Sequence, residues 1–228
     1  MPAPTDEDLS PYLGPGRCVD SAHPRVVEWA RREAGDARTP QDVAVRLYYA
    51  VRDGIRYDPY HVDLTPEGLT ASRCLENGYG FCVNKAVLLA AVLRVHGIAA
   101  RLGYADVKNH MTSERLRRTM GTDLFAYHGY TDVRLDGRWV KATPAFNIEL
   151  CRKAGTLPLE FDGSTDSIFH PYDAAGRRHM EYVRDRGVHA DVPLGAMFAA
   201  FREVYPPEAD WAGAHVQADF ADEVERPA

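Results

Sequence analysis

Among the side chains of this 228-residue chain, four cysteines and nine histidines are the ones most able to do covalent chemistry. One cysteine stands apart by position. In GYGFCVNKAVLLAAVLRVHGIAAR, Gly78 to Arg101, Cys82 falls where a glycine-rich turn gives way to an apolar helix. The thiolate is the reactive form of cysteine, and unpaired N–H groups and aligned peptide dipoles at a helix N-terminus favour it. Gly78 and Gly80 allow a tight turn and a close approach of substrate, and the Cys82 N–H is placed to meet a developing oxyanion. The bland alternative is a buried cysteine acting as a small hydrophobe. Cys18, Cys74 and Cys151 lack comparable surroundings and read as structural.

A thiol nucleophile needs a base held rigidly beside it. His128 begins the strand HGYTDVRL, where alternation puts His128, Tyr130, Asp132 and Arg134 on one face. A two-residue turn at Asp136-Gly137 then pairs Tyr130 with Thr143, His128 with Ala145 and Asp132 with Lys141, the last as an expected ion pair. In that register Thr143 and Asn147 are the diagonal neighbours of His128, at the roughly 7 to 8 Å spacing that side chains can bridge. Either could orient the imidazole, although Pro144 disturbs the ladder between them. His110 is the rival base, and Asp162 and Asp166 are distant candidates for a third catalytic member. Tyr57, Asn77 and Tyr79 are candidate oxyanion donors. His170, His179 and His189 lie near acids but without a regular metal-ligand spacing, so no metal is expected.

These residues need elements to carry them. Pro24 to Gly35 reads as a helix with a first-turn proline and a glycine stop, and Thr39 caps a second that runs to Gly54. The stretch from Ile55 to Gly80 reads as a loop with short elements. Val83 to Val95 is apolar on nearly every face, which predicts a central helix surrounded by protein, ended at Gly97. IAARLGYADV and HGYTDVRLDGRWVKATP are β-rich. SERLRRTM reads as a solvated basic face, Cys151 to Gly195 as irregular, and AMFAAFREVY as a closing helix. Helices followed by sheet predict an α+β fold, with the cysteine-bearing buried helix packed on an antiparallel sheet. The expected organisation is an arm over residues 1–16, one domain over 17–205 and an acidic tail over 206–228.

A net charge of −6 gives no global attraction for nucleic acid or anionic membrane, leaving peptides, proteins or small amides as expected partners. The acidic, proline-rich start is unlike a signal peptide and no run has the length of a membrane span, so the expected location is cytoplasmic.

The order of these features resembles the transglutaminase-like core, a branch of the papain-like cysteine proteinase fold. GYGFCVNKAVLLAAVLRVHGIAAR is similar to that family's nucleophile turn, core helix and following strand, HGYTDVRLDGRWVKATP to its histidine hairpin, and VRDGIRYDPY to its helix-to-strand lead-in. The resemblance implies that Cys82 is the nucleophile, that His128 is general base and acid, and that no metal or organic cofactor is required. It also implies an aspartate fifteen residues after the histidine, where this chain has Thr143. Three readings of that departure stay open: Asn147 completes a Cys-His-Asn set, Thr143 serves a Cys-His dyad, or activity was lost. The expected chemistry is thiol-dependent hydrolysis of a peptide or related amide through an acyl-enzyme. The alternatives are acyl transfer to an amine and an inactive binding module.

Overall fold

The computed structural model describes residues 7–110, 113–169, 176, 179–206 and 220. Two amphipathic helices open the chain, α1 (Pro24–Ala34) and α2 (Pro40–Gly54), each with proline in its first turn. Thr39 caps α2 by accepting the Asp42 N–H, satisfying one of the donors a helix start leaves unpaired. Two short parallel strands, β1 (Arg56–Tyr57) and β2 (Tyr79–Gly80), flank α3 (Ala71–Asn77). The chain then enters α4 (Cys82–Val95), in which every residue from Cys82 to Arg94 is buried.

The main sheet has the order β5-β4-β3-β6 and is antiparallel throughout. It comprises β3 (Ala100–Asn109), β4 (Leu124–Leu135), β5 (Arg138–Ala142) and, at one edge, β6 (Met180–His189). Helix α4 packs on β3 and β4 on one side and against α1, α2 and α3 on the other, so it forms the centre of the core. Three further helices complete the described residues: α5 (Glu114–Met120), α6 (Ile148–Ala154) and α7 (Leu194–Val204). The α+β architecture with a buried helix on an antiparallel sheet is therefore present as expected. No helix among the described residues is long and apolar enough to cross a membrane.

The β4–β5 hairpin turns at Asp136-Gly137, both with positive φ (47° and 76°), as a tight two-residue turn requires. Its register places Asp132 opposite Lys141. The ion pair lies elsewhere. Asp132 pairs at 2.9 Å with Arg101, its neighbour on β3, while Lys141 lies over the Tyr130 ring. The stretch from Cys151 to Gly195, read as irregular, contains the rest of α6, all of β6 and the start of α7. Strand β6 escapes a periodicity argument because it is an edge strand whose interior residues are mostly exposed, so no alternating apolar pattern marks it. The basic segment forms α5, but Leu116 and Met120 are buried beneath its charged face.

At the ends of the chain, Glu7 meets Arg101 and the Trp139 indole N–H, and Tyr12 packs edge-on against Trp139. The tail lies outside the described residues apart from Phe220, which is buried against Tyr57 and Tyr60.

Two cations inside the core are spent on backbone carbonyls. Arg94 donates to Ala100, Gly14 and Ala190, tying α4 to three segments that approach its end. Lys85, one turn into α4 and fully buried, donates from Nζ to Arg52 O (2.9 Å) and Ile55 O (2.5 Å), the carbonyls at the C-terminal end of α2. Burial pushes the Lys85 ammonium down to about 7, opposed by Cys74, Asp53 and Cys151.

A lysine in an unfolded chain holds its proton up to about pH 10.4, whereas folded Lys85 releases it near about 7. The unfolded state therefore binds more protons in that window, and stability must rise with pH above 7. Urea unfolding between pH 7 and 7.5, below the range where unfolded thiols, with a pKa of about 8.5, ionise appreciably, should show a rise on the order of 1 kcal/mol per pH unit. Lys85→Met should flatten that slope.

Candidate active site

Cys82 is the first residue of α4, and the helix enters directly from the β1–β2 ribbon, where Asp58 N–H bonds to Gly80 O. Gly80 is needed there: a Cβ would lie 2.7 Å from the Asn84 Cβ. The close approach of β4 is the second constraint. At Gly129 a Cβ would sit 3.2 Å from Val83 Cα and 3.5 Å from Cys82 O, so a side chain at residue 129 would crowd the first turn of α4 and glycine eases the approach of the strand. Two residues on, Thr131 Oγ1 donates to Ala86 O at 2.8 Å and pins β4 along the same helix.

The two expected reactive groups open into one cavity of about 40 Å³. Cys82 and His128 share it with Tyr57, Phe81, Phe125, Phe201 and Tyr205 among others, and Leu116 and Met120 of α5 close a further side. That volume holds a few waters at most, given that one water needs about 10–15 Å³ by the same measure. Among the described residues no Asp, Glu, Lys or Arg lines it.

The electrostatics differ from the expectation of a primed thiolate. Cys82 is 8% exposed, and burial pushes its thiol up to about 11 although the N–H groups of Gly129, Val83 and Cys82 itself favour the anion. The helix terminus contributes as anticipated, but desolvation is larger. His128 is 4% exposed, and burial alone lowers its imidazole to about 4. At neutral pH the site therefore holds a neutral thiol and a neutral imidazole.

Among the described residues no hydrogen bond reaches the buried Nε2 of His128, whose ring lies 4.9 Å from that of Phe169. Thr143 is buried close behind the strand end, its carbonyl accepting from the Tyr48 hydroxyl, and its Oγ1 is likewise buried without a partner. Asn147 is buried at the cap of α6, and its Oδ1 accepts the Tyr57 N–H at 3.1 Å, so this side chain holds the cavity wall. Asp162 accepts the N–H groups of Ser164 and Thr165, and Asp166 that of Lys141, which engages both carboxylates away from the cavity. His110 pairs with Glu181 where β3 and β6 meet and does not line the cavity.

Of the three oxyanion candidates only Tyr57 lines the cavity. Asn77 is exposed at the end of α3, and Tyr79 stacks beside His61 and under Arg56. Among the described residues no three His, Cys, Asp or Glu side chains converge as a metal would need; His170 lies outside them. Sequence reasoning missed Tyr205 and Phe201, which α7 brings to the cavity from the far end of the chain. No local pattern marks them, because their role depends on where α7 docks.

The His128 ring, followed by NMR, should titrate with a midpoint near 4 instead of about 6.5. Because its folded value is depressed, the stability it contributes is complete above about pH 6.5 and is lost as pH falls through 4, which acid unfolding of wild type against His128→Gln should show. Gly129→Ala should cost about 1–3 kcal/mol in urea unfolding, since the atoms its methyl meets are helix backbone and cannot rotate away.

Residues 27–144, more than half of the chain, match the Transglutaminase-like superfamily. No curated protein matches the sequence. Among solved structures, the chain is similar to a protein from Cytophaga hutchinsonii described as a "Putative Cysteine Protease", at 16% identity, covering 82% of this chain and 55% of that one, with a TM-score of 0.48. It is also similar to a "putative protease" from Parabacteroides distasonis, at 15% identity, covering 63% of this chain and 27% of that one, with a TM-score of 0.38. The chain thus spans about half the length of the first and about a quarter of the second. The superfamily match runs through the Cys82 helix and the His128 hairpin and ends at Pro144, and the chain belongs to the transglutaminase-like superfamily.

Proposed function

We propose that the protein is a thiol-dependent acyl hydrolase that uses Cys82 as nucleophile and His128 as general base and acid on an amide or ester with a small, uncharged acyl group. The observation that carries this reading is the shared cavity, into which the first residue of the buried helix and the strand histidine both open. Family membership supports the same pairing. The apolar walls and small volume favour an uncharged acyl group, because a charged one would be stripped of water with no partner to meet it.

In this reading the thiol and imidazole start neutral. As Sγ bonds to the carbonyl carbon, the thiol proton passes to His128, and the oxyanion faces the Cys82 N–H at the helix start. Collapse of the tetrahedral intermediate breaks the bond to the leaving group, which takes the proton from the imidazolium. Water, deprotonated by His128, then cleaves the thioester and regenerates the thiol. Because Asn147 is engaged by Tyr57, the arrangement supports a Cys-His dyad with Thr143 behind it over a Cys-His-Asn set. A dyad lacks the carboxylate that would stabilise the imidazolium by charge, so turnover should be slow.

A second reading has its own support. The neutral thiol and the unpartnered imidazole nitrogen also suit a binding module without turnover. p-Nitrophenyl acetate distinguishes the two. A hydrolase should release a burst of p-nitrophenolate and carry one acetyl group on Cys82 by mass spectrometry. Cys82→Ala should abolish both, and His128→Ala should slow acylation by about 100-fold or more. Acetylation that is no faster at Cys82 than at Cys18, Cys74 or Cys151, or that ignores His128, would leave the binding module. Adding glycinamide tests transfer: amide product at the expense of acetate would identify an amine acceptor.

A further inference from the structure

Just before His128 the β3–β4 ladder slips. Ala105 pairs with His128 and Val107 with Phe125, so Ala126 and Tyr127 together stand opposite the single residue Asp106. This is a β-bulge, a device that re-aims the following side chain. It is an uncomfortable one, because Tyr127 has a φ of 54°, a left-handed conformation that a tyrosine rarely adopts without surrounding support. Both bulge amides lose their ladder partners, and both are buried, so each needs another acceptor.

The structure provides one for each. Ala126 N–H donates to the Tyr205 hydroxyl oxygen at 2.8 Å, and Tyr127 N–H donates to Asp106 Oδ1 at 3.0 Å. Asp106 is 4% exposed, and a carboxylate so buried is tolerable only when paired. Arg186 of the edge strand β6 pairs with it through Nε at 3.0 Å and Nη2 at 2.7 Å, the two-pronged geometry that fixes a carboxylate in one orientation. The same guanidinium lies 5.0 Å from the centre of the Tyr127 ring. One ion pair thus grips the strained residue by its amide and by its ring.

We propose that the Asp106–Arg186 pair is the positioning device for His128, holding Tyr127 in the left-handed conformation that turns the imidazole into the Cys82 cavity. Asp106 and Arg186 line no part of that cavity, so they act through the backbone of residues 126–128. The proposal builds on the Cys-His reading but concerns the placement of the ring, which can be observed without turnover.

The test uses the full chain and removes both charges together, since an arginine left alone in this place would destabilise the fold for an unrelated reason. Asp106→Ala combined with Arg186→Met should shift the His128 ring resonances, move its titration midpoint up from about 4 toward the solvent value, and slow Cys82 acetylation by about 100-fold, the scale of an ångström misplacement. Adding Tyr127→Gly should restore both readouts, because glycine takes a positive φ without being held. Asp106→Asn combined with Arg186→Met, which keeps an acceptor for the Tyr127 amide, should recover the rate to within about threefold of wild type.

A folded double variant with unchanged His128 resonances and acetylation rate would overturn the proposal. So would loss that glycine at 127 does not repair. Should the Asp106→Ala double variant fail to fold, Asp106→Asn with Arg186→Met decides: Tyr127 amide and His128 ring shifts must move together, and a ring that ignores a displaced amide refutes the coupling. If His128→Ala leaves acetylation unchanged, the Cys-His reading fails, while the ring resonances still judge the positioning.

Discussion

The contact between the backbone of Gly129 and the first turn of α4 is the constraint on which the candidate site rests. A strand lies against a helix start at this range most easily where a side chain is missing, and here the missing side chain belongs to the residue next to His128. The approach brings the Gly129 N–H to the Cys82 sulfur, and the neighbouring His128 lines the same cavity as the cysteine. Thr131 continues the contact with a hydrogen bond to the helix, and Lys85 anchors the opposite face to the end of α2. Helix α4 is thus fixed from both sides by polar contacts to backbone oxygens.

That burial has an electrostatic consequence. The helix N-terminus and three nearby N–H groups favour a thiolate, yet removal from water raises the thiol by more than they lower it. The same removal keeps His128 neutral. A charged pair would require a counter-ion, and among the described residues the cavity is lined by no Asp, Glu, Lys or Arg. Under the proposed hydrolase reading, reactivity depends on proton transfer during bond formation, beside apolar walls supplied by α5 and α7.

Much of this arrangement was legible in local sequence. First-turn prolines and the Thr39 cap mark α1 and α2, the unbroken apolar run marks α4, and Asp136-Gly137 fixes the hairpin register, which in turn places Asp132 opposite Lys141. These are signals carried by neighbours in the chain. The features that escaped depend on residues far apart: Arg101 displaces Lys141 as the partner of Asp132, and Asn147 turns to the Tyr57 amide instead of the imidazole. Strand β6 escaped because an edge strand exposed along most of its length has no hydrophobic period to read.

The sequence by itself determined where the candidate residues fall: a cysteine at a helix start, a histidine on a hairpin strand, and a threonine where the resemblance implies an acid. It determined the order of the main elements as well, because caps, turns and apolar periods act over a few residues. Only the tertiary structure decided the protonation state of the pair, the closed apolar cavity and the bulge before His128. Each of those follows from desolvation or from a side chain supplied by another segment, such as Asp106, Arg186 and Tyr205, and neither quantity exists until the chain has folded.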